Sequence, residues 1–597
     1  MPAMVEAPAR DGDLARGGDI LRFEGGPILT LDPARPVVDA LAVRGGTVVA
    51  LGTRAEVRRA VGAGPACDLG GHCLVPAFVD HHVHLLNIGF ALANQRRGGA
   101  LFLDLPGNWT EAQIAERVAA RAEELGPTGW VLGAGWSQNG WAMPAMPTHH
   151  ALTRAAPAHP TLLARLDVHS AWVNEAALQV ARIGPGAPDP PGGRIDRLDD
   201  GAPAGVLVDR ACEPVLARSP RPDDALVREA FRSAADGLAS RGYVRAYEAG
   251  FLEFPGLLSL EADQERYLGL LLEEDAREPL PLHVHLMVMA PSPLAEKILK
   301  DPEPYRRLSP RIGVTHLKMH ADGALGSRGA LLSHPYHDDP CGATGVCRTS
   351  PEELRHWTGR ALDAGLDVAV HAIGDRANSM VLDAYEEALR VRPGLDPRRL
   401  RVEHFTYVSR SDMERAARMG VILAVQPAFV EPDEYGHVME ELRLGPEQAA
   451  RAYAFRDLVA LGARLAGSTD DYTFVPNAMR TLHAAATRRT PLPGMTARWQ
   501  PEQCLSREQG FGLLTRWWRH GGREPTSGTL REGGPAHLVV LSGNPFEVPD
   551  EEILSLQVCA TWKDGRRTFD DGSVLEPRRR RVRRPRPRPR RVPLPKK

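Results

Sequence analysis

The chain has 597 residues, of which 43% are hydrophobic and 25% charged, with a formal net charge of −2, as in a soluble globular protein of more than one domain. No apolar run reaches the ~18 residues of a membrane helix, the charged N-terminus lacks a signal-peptide pattern, and seven cysteines without a C-x-x-C pair disfavour a disulfide framework. We therefore expect a cytoplasmic protein without membrane contact, whose metal ligands, if any, are nitrogen and oxygen.

The first predicted elements are short strands between residues 18 and 75, after an N-terminal tail of residues 1–17. Valine- and leucine-rich runs separated by Gly-Gly turns are typical of a small antiparallel sheet. The same pattern returns between residues 521 and 576, in AHLVVLSGNPFEV and VCATWKDGRRTFDDG. We therefore predict that both chain ends meet in one small β domain.

The run VPAFVDHHVHLL, residues 75–86, is an apolar strand that ends in histidines. Because alternate residues of a strand share a face, His82 and His84 project together while Val83 points away. Two neutral imidazoles on one face can chelate a divalent cation. The alternative is a surface strand with solvated histidines, and the rest of the chain has to decide between the two.

Residues 76–520 alternate strands with helices, with a large insertion after the first strand at about residues 90–240. One helix is marked by a capping box of Ser350 and Glu353. Eight strand candidates fit the alternation: FVDHHVHL, YVRAYEAG, LHVHLMVMA, VTHLKMHADG, DVAVHAIGD, RVEHFTYV, VILAVQPAF and RLAGSTDD. We predict an α/β fold with a parallel (β/α)8 TIM-like barrel. A doubly wound sheet is disfavoured because no glycine-rich phosphate loop follows the first strand.

Polar residues end several candidate strands, at the rim where such barrels have their active sites. They are His82 and His84 on the first strand, Lys318 on the fourth, His371 on the fifth, His404 on the sixth, and Asp470 or Asp471 on the eighth. Each alone has an ordinary structural interpretation. Together on one rim they indicate a metal site.

The insertion and the fourth strand contain candidates for substrate binding. Trp136 and Trp141, in WVLGAGWSQNGW, are predicted either to wall an apolar pocket or to form the core of the insertion. His169, in LDVHSAWVN, and Asp322, in HADG, are predicted rim residues that orient or contact the substrate.

The chain ends in ten arginines and two lysines without an acid between residues 578 and 597, and without them the formal charge of −2 becomes −14. Because five prolines lie among these like charges, we predict a disordered basic tail over residues 577–597. Nucleic acid is a disfavoured partner, since the remaining chain is acidic and the tail has no interleaved aromatic residues.

These motifs together resemble the amidohydrolase superfamily, specifically its family 3, with its YtcJ-like and N-substituted formamide deformylase-like metal-dependent hydrolases. The resemblance lies in PAFVDHHVH, HPTLLARLDVHSAWVNEAAL, KMHADGALGSRGALL, VHAIGDRAN, RVEHF and GSTDD, within about residues 18 to 572. It implies a metal-dependent barrel with a β-sandwich built from both chain ends.

The resemblance also implies roles for individual residues. The metal ligands would be His82, His84, His371 and His404, with Lys318 bridging two metals when carboxylated. The catalytic aspartate would be Asp470, which matches the Ser-Thr-Asp pattern, although the adjacent Asp471 leaves the register open. Departures from the family pattern are found at Ala77, His320 and His537.

The activity implied is hydrolysis of a non-peptide C–N bond, such as an amide or formamide, with one or two divalent ions, zinc by expectation, and an aspartate as general acid and base. The alternatives are a catalytically inactive scaffold and a hydrolase of a cyclic imide, carbamate or ester. The expected partners are a small-molecule substrate and a second copy in a homodimer.

Overall fold

The computed structural model describes residues 20–62, 65–105, 109–139, 141, 145–259, 263–432, 438–492, 496–515 and 528–574. The predicted tails at residues 1–17 and 577–597, and the predicted domain boundary at residues 520 and 521, lie outside these ranges. Within them, no helix is both long enough and apolar enough to cross a membrane.

Five strands precede the barrel, and they are β1 (Ile20–Leu29), β2 (Val37–Arg44), β3 (Thr47–Gly52), β4 (Ala66–Asp68) and β5 (Cys73–Pro76). β1, β2 and β3 are antiparallel neighbours. Helix α1 (Arg54–Val61) begins with a capping box of Thr53 and Glu56 and packs against β2 and β3.

The first barrel strand, β6 (Phe78–Val83), leads through α2 (Leu85–Arg96) into the predicted insertion. The insertion contains a six-stranded mixed sheet, in the order β11-β12-β10-β9-β8-β7. Its strands are β7 (Leu103–Asp104), β8 (Val131–Trp136), β9 (Thr161–Arg165), β10 (Ser170–Val173), β11 (Gly193–Arg197) and β12 (Pro203–Asp209). Its helices are α3 (Glu111–Leu125), α4 (His149–Ala155), α5 (Glu175–Ala181) and α6 (Glu213–Leu216), before α7 (Asp224–Ser240) packs on α2.

The other seven barrel strands are β13 (Tyr243–Glu248), β14 (His283–Met289), β15 (Ile312–His320), β16 (Asp367–Ala372), β17 (Leu400–His404), β18 (Ile422–Val425) and β19 (Arg464–Gly467). Together with β6 they form one parallel sheet in chain order. Each observed strand lies within or overlaps one of the eight predicted runs, so the TIM-like barrel is confirmed. Strands β16 and β18 are buried along their whole length, as is typical of parallel strands that are covered by helices.

Helices connect the barrel strands: α8 (Gln264–Arg277), α9 (Pro293–Lys300), α10 (Glu303–Arg306), α11 (Pro351–Asp363), α12 (Asp375–Val391), α13 (Arg410–Met419), α14 (Met439–Leu444), α15 (Pro446–Ala449) and α16 (Phe455–Ala460). Two more, α17 (Ala478–Thr487) and α18 (Arg507–Leu514), follow the last strand. The predicted capping box of Ser350 and Glu353 opens α11.

The barrel closes between β19 and β6 through residues that follow β19. The N–H of Asp470 donates to the carbonyl of His82 at 2.8 Å, and the N–H of His84 donates to the carbonyl of Asp471 at 3.2 Å. The hydroxyl of Thr469 donates to the buried carboxylate of Asp80 at 2.6 Å. Closure therefore fixes the histidines of β6 against the aspartates of the eighth strand.

Three C-terminal strands return to the N-terminal sheet: β20 (Leu538–Leu541), β21 (Val558–Lys563) and β22 (Arg566–Asp570). β20 pairs antiparallel with β5, which gives an eight-stranded sheet in the order β22-β21-β20-β5-β1-β2-β3 with β4 beside β1. In its core the rings of Phe23 and Trp562 meet edge to face at 5.1 Å. The predicted β domain of both chain ends is thus confirmed.

Candidate metal centre

A cavity of about 420 Å³ lies at the carboxyl ends of the barrel strands. It is lined by the polar residues that end the strands, which are His82, His84, Lys318, His320, His371, His404 and Asp470. The insertion contributes the segment from Arg165 to His169. Side chains from distant parts of the sequence therefore meet in one buried, polar site.

His82 and His84 come from the end of β6 and face the same carboxylate. The Nε2 atom of each lies 3.4 Å from Oδ1 of Asp470. His81, between Asp80 and His82, points to the other side and stacks on Tyr247 with 5.1 Å between ring centroids. The alternation of the strand thus brings two imidazoles to the cavity.

His404 and Asp470 complete the group from the other side of the cavity. One ring nitrogen of His82, one of His404 and one carboxylate oxygen of Asp470 all lie within 4.8 Å of one another. Both His404 and Asp470 have left-handed backbone, with φ of 75° and 55°. Since non-glycine residues seldom adopt this conformation, the surrounding contacts hold the two side chains in place at a cost in free energy.

Each of the three histidines nearest Asp470 has a hydrogen-bond acceptor at Nδ1. Glu403 Oε2 lies 2.6 Å from Nδ1 of His82, the carbonyl of Gly250 lies 3.0 Å from that of His84, and Gln426 Oε1 lies 3.1 Å from that of His404. An acceptor at Nδ1 places the proton there and leaves Nε2 as a lone-pair donor, the usual support of metal-binding histidines.

Two carboxylates beside these histidines, Glu403 and Glu248, were not predicted from the sequence. Glu403 precedes His404 within the RVEHF motif, and Glu248 ends the second barrel strand, 3.7 Å from Nδ1 of His84. The sequence pattern that could have identified them is a carboxylate at the end of a barrel strand. That signal is weak by itself, because only the folded structure shows which histidine each carboxylate reaches.

The charge states of the group suit a cation. Burial lowers the pKa of His82 to about 4 and that of His404 to about 3, so both are neutral at pH 7. Burial alone would raise the pKa of Asp470, but the imidazoles around it hold it below its ordinary value. Burial likewise disfavours charge on His84, but Asp470 and Glu248 raise its pKa to about 9. A divalent cation would displace that proton.

Lys318 and His371 line the cavity beside this group. Lys318 is buried, and burial lowers its pKa to about 8. The ring of His371 lies 4.4 Å from that of His404, and its Nε2 lies 3.4 Å from Oδ1 of Asp322. Among the described histidines, cysteines and acidic residues, His371 is not part of the close group formed by His82, His404 and Asp470.

Asp322 is fully buried and accepts backbone N–H groups of Leu331, Ile373 and Gly374. Its carboxylate therefore orders the loops behind His371, and its predicted role in orienting the substrate stays a prediction. Substrate contact by Asp322 is not supported, because its oxygens are occupied by the main chain.

His169 reaches the site from the insertion. Its Nδ1 lies 2.7 Å from Oδ1 of Asp209, which also accepts from Arg348 at 2.9 Å. The ring of His169 is 5.0 Å from that of His371. Asp209 in turn packs closely against Gly323 of the HADG motif, where an added Cβ atom would lie 2.2 Å from the Asp209 carboxylate.

Trp136 and Trp141 do not line the cavity. Trp136 is fully buried, and both rings pack with Trp172 in the core of the insertion. The indole N–H of Trp136 donates to the carbonyl of Leu163. The prediction of both as substrate-binding residues is therefore corrected to the core alternative.

Apolar side chains surround the outer part of the cavity. Seven large apolar side chains are exposed in the described part of the chain, and three of them, Leu166, Phe429 and Phe474, line this cavity. Phe474 is the most exposed, at 67%. An apolar surface that continues into a polar metal site is typical of small-molecule pockets.

Comparison with known proteins gives the family. A family model described as the amidohydrolase family matches residues 66–569. The chain is 30% identical over 554 residues to YtcJ, a candidate amidohydrolase of Bacillus subtilis (strain 168), covering 92% of this chain and 99% of that protein. It is 26% identical over 548 residues to N-substituted formamide deformylase of Arthrobacter pascens, covering 90% and 96%.

The fold also matches a solved structure. An uncharacterized metal-dependent hydrolase from Pyrococcus horikoshii OT3 superimposes with a TM-score of 0.66 at 25% identity, over 89% of this chain and 99% of that protein.

Proposed function

This chain belongs to the amidohydrolase family and is a metal-dependent hydrolase, and from that premise we propose that it cleaves a non-peptide C–N bond of a small molecule. The observation that carries the proposal is the close group of His82, His404 and Asp470 at the carboxyl end of the barrel. A scaffold without activity would have no need of neutral imidazoles and an ionised carboxylate held in strained backbone.

The donor set fits a divalent cation, because imidazole nitrogen and carboxylate oxygen are the ligands of catalytic zinc sites. We assign the binding of one zinc ion to His82, His84, His404 and Asp470. A second ion would be held by His371 together with Lys318 in its carboxylated form. When bound, such a cation supplies Lewis acidity that polarises a carbonyl and lowers the pKa of water to about 7.

The protein's own residues would handle the proton. Asp470, held ionised by its neighbours, accepts a proton from the attacking water and transfers it to the departing nitrogen, as a general acid and base does. His169, fixed by Asp209, orients the substrate on the side of the insertion. Both side chains line the same cavity, so one substrate can contact both.

The cavity supports a substrate class as well. Its volume suits a small molecule, and Phe429 and Phe474 suit an apolar substituent on the carbonyl or the nitrogen. The relative named N-substituted formamide deformylase supports an amide or a formamide as the scissile group. Cyclic imides, carbamates and esters present the same polarised carbonyl and are the second candidates.

A hydrolysis screen tests the proposal. The purified chain, made metal-free and then loaded with zinc, is assayed on N-alkyl and N-aryl formamides, other N-acyl amines, cyclic imides, carbamates and esters. We expect release of amine from a formamide or another amide, and no release from His84→Ala under the same conditions. Cleavage of esters alone, or equal rates for both proteins, would contradict the proposal.

A further inference from the structure

Arg401, on β17, lies in the interior of the barrel and is fully buried. Branched aliphatic side chains usually fill this position in a TIM barrel. A buried ion pair rarely stabilises a protein more than apolar residues of the same volume, because both charges lose their hydration. A guanidinium here therefore needs an explanation other than core packing.

The contacts of Arg401 converge on the neighbours of one histidine. Its Nε and Nη2 atoms donate to the two carboxylate oxygens of Glu403, at 2.7 and 2.9 Å. Nη2 also donates to the main-chain carbonyl of His81 at 2.9 Å. Glu403 Oε2 lies 2.6 Å from Nδ1 of His82, and His81 precedes His82 in the chain.

The guanidinium is itself held in place. It lies 5.3 Å from the ring centroid of Tyr247, which stacks between His81 and His285 at 5.1 and 4.7 Å. These residues come from β6, β13 and β14, which are not neighbours of β17 in the sheet. The position of the guanidinium thus depends on the barrel as a whole.

We propose that Arg401 is a positioning residue for His82, acting on its ring through Glu403 and on its main chain through the carbonyl of His81. The inference rests on the proposed function in one respect, namely that His82 binds the cation. Two parallel hydrogen bonds from one planar guanidinium fix the Glu403 carboxylate, and the carboxylate fixes the rotation of the His82 ring. Nε2 of His82 then points into the cavity before a cation arrives.

The test compares zinc affinity with stability in four variants: Arg401→Met, Arg401→Lys, Glu403→Gln and the double variant Arg401→Met/Glu403→Gln. The zinc dissociation constant is measured by competition with a chelator, and the Tm is measured on the metal-free proteins. We expect Arg401→Met to raise the dissociation constant about 10- to 100-fold, as loss of a partner behind a metal ligand does. Arg401→Lys, which cannot make both parallel bonds, should give a smaller increase.

The double variant separates positioning from packing. Without an unpaired buried charge it should recover the Tm that Arg401→Met loses, yet its zinc affinity should stay low. If Arg401→Met does not fold, the double variant and Arg401→Lys carry the test.

The matched control is Arg311→Met/Asp275→Asn, which removes another two-bond pair, at 2.6 and 3.1 Å, at the amino end of β15. It should leave zinc affinity unchanged.

Two results would overturn the inference or its premise separately. Wild-type zinc affinity in the double variant and in Arg401→Lys would show that Arg401 serves packing alone. A His82→Ala variant that binds zinc as tightly as the wild type would instead remove His82 from the metal centre, and with it the premise.

Discussion

Two adjacent aspartates at the end of the eighth strand have different surroundings. The left-handed backbone of Asp470 turns its carboxylate toward the imidazoles of His82 and His84. Asp471 donates its N–H to Thr469, and in the described structure it is not part of the close ligand group. Burial raises the pKa of Asp471 to about 7. The imidazoles instead hold the pKa of Asp470 below its ordinary value.

We expect Asp470→Asn to lower kcat by about 10² to 10⁴, because asparagine cannot accept the proton. The same change should weaken zinc binding, since Asp470 supplies an oxygen to the ligand group. Asp471→Asn should cost less than about tenfold. Steady-state kinetics on a substrate from the screen give the loss of kcat in each variant, and the zinc content of each protein is measured alongside.

The comparison can contradict the assignment in two ways. A larger loss in Asp471→Asn, at equal zinc content, would show that the catalytic aspartate is the second one. Equal and mild losses would move proton transfer to another group, of which His320 beside His371 is the first to test.

At the scale of single residues, the sequence predicts those side chains that end barrel strands. His82 and His404 are predicted in this way, because the alternation of strands and helices locates the strand ends, whereas the choice between Asp470 and Asp471 stays open in the sequence. The residues that hydrogen-bond to these side chains cannot be identified from the sequence. Glu403 contacts a histidine 321 residues away, and no local pattern encodes that distance.

At the scale of elements, the contact between β6 and the end of β19 completes the barrel. Asp80 accepts the hydroxyl and the N–H of Thr469, and also the N–H of His82. Because the same few residues close the barrel and hold Asp470, barrel stability and metal binding should change together at this junction.

Thr469→Val tests that link. The substitution keeps the shape and removes a hydroxyl from a buried carboxylate, at a cost of about 1 to 3 kcal/mol. We expect a lower Tm and weaker zinc binding. Thr561→Val is the control, since its buried hydroxyl bonds the carbonyl of Ala239 far from the cavity. It should lower the Tm only, and an equal loss of zinc affinity in both variants would contradict the link.

Helix α14 contains a buried acid, Glu440, that makes stability depend on pH. Burial raises the pKa of Glu440 to about 7 from its ordinary 4.5, and the hydroxyl of Tyr453 donates to it at 3.0 Å. The folded protein therefore holds this proton more tightly than the unfolded chain does. The resulting stabilisation is complete below pH 4.5 and is lost as the pH rises through 7.

Glu440→Gln should remove that loss, because glutamine does not ionise and still accepts from Tyr453. We expect the Tm of the variant relative to the wild type to be higher at pH 8 than at pH 5. Glu447→Gln, at an exposed position on α15, is the control and should show no such trend. A Tm difference for Glu440→Gln that does not change with pH would contradict the prediction.

The elements of the barrel could be predicted, whereas the sheet of the insertion could not. Every barrel strand is an apolar run followed by a helix, a regular alternation. The insertion sheet mixes parallel and antiparallel pairs, and β7 is only two residues long, Leu103–Asp104. The tryptophans of the insertion could therefore be interpreted either as a pocket wall or as core residues, and the full burial of Trp136 supports the core interpretation.

At the scale of the whole molecule, three sheets share one chain, and the barrel and the insertion meet at the cavity. The two chain ends are joined by the pairing of β5 with β20 and by main-chain hydrogen bonds of Val48 with Gly533 and Gly534. The cytoplasmic location, the homodimer and the domain boundaries stay predictions.

Deletion of residues 578–597 should leave hydrolysis within about twofold, because such an arginine- and proline-rich run resists packing. The cavity is built from residues between His82 and Thr481. Turnover of the truncated and full chains, with Tm as the folding control, checks this. A collapse of turnover at unchanged Tm would show that the tail takes part in the site.

The most direct measurement of the central claim is zinc binding to the metal-free wild type and to His82→Ala/His404→Ala. We predict that the wild type binds one or two zinc ions per chain, that the double variant loses the tighter site, and that the metal-free proteins differ little in Tm. Equal zinc content and affinity in the two proteins would contradict the claim that these histidines hold the catalytic cation.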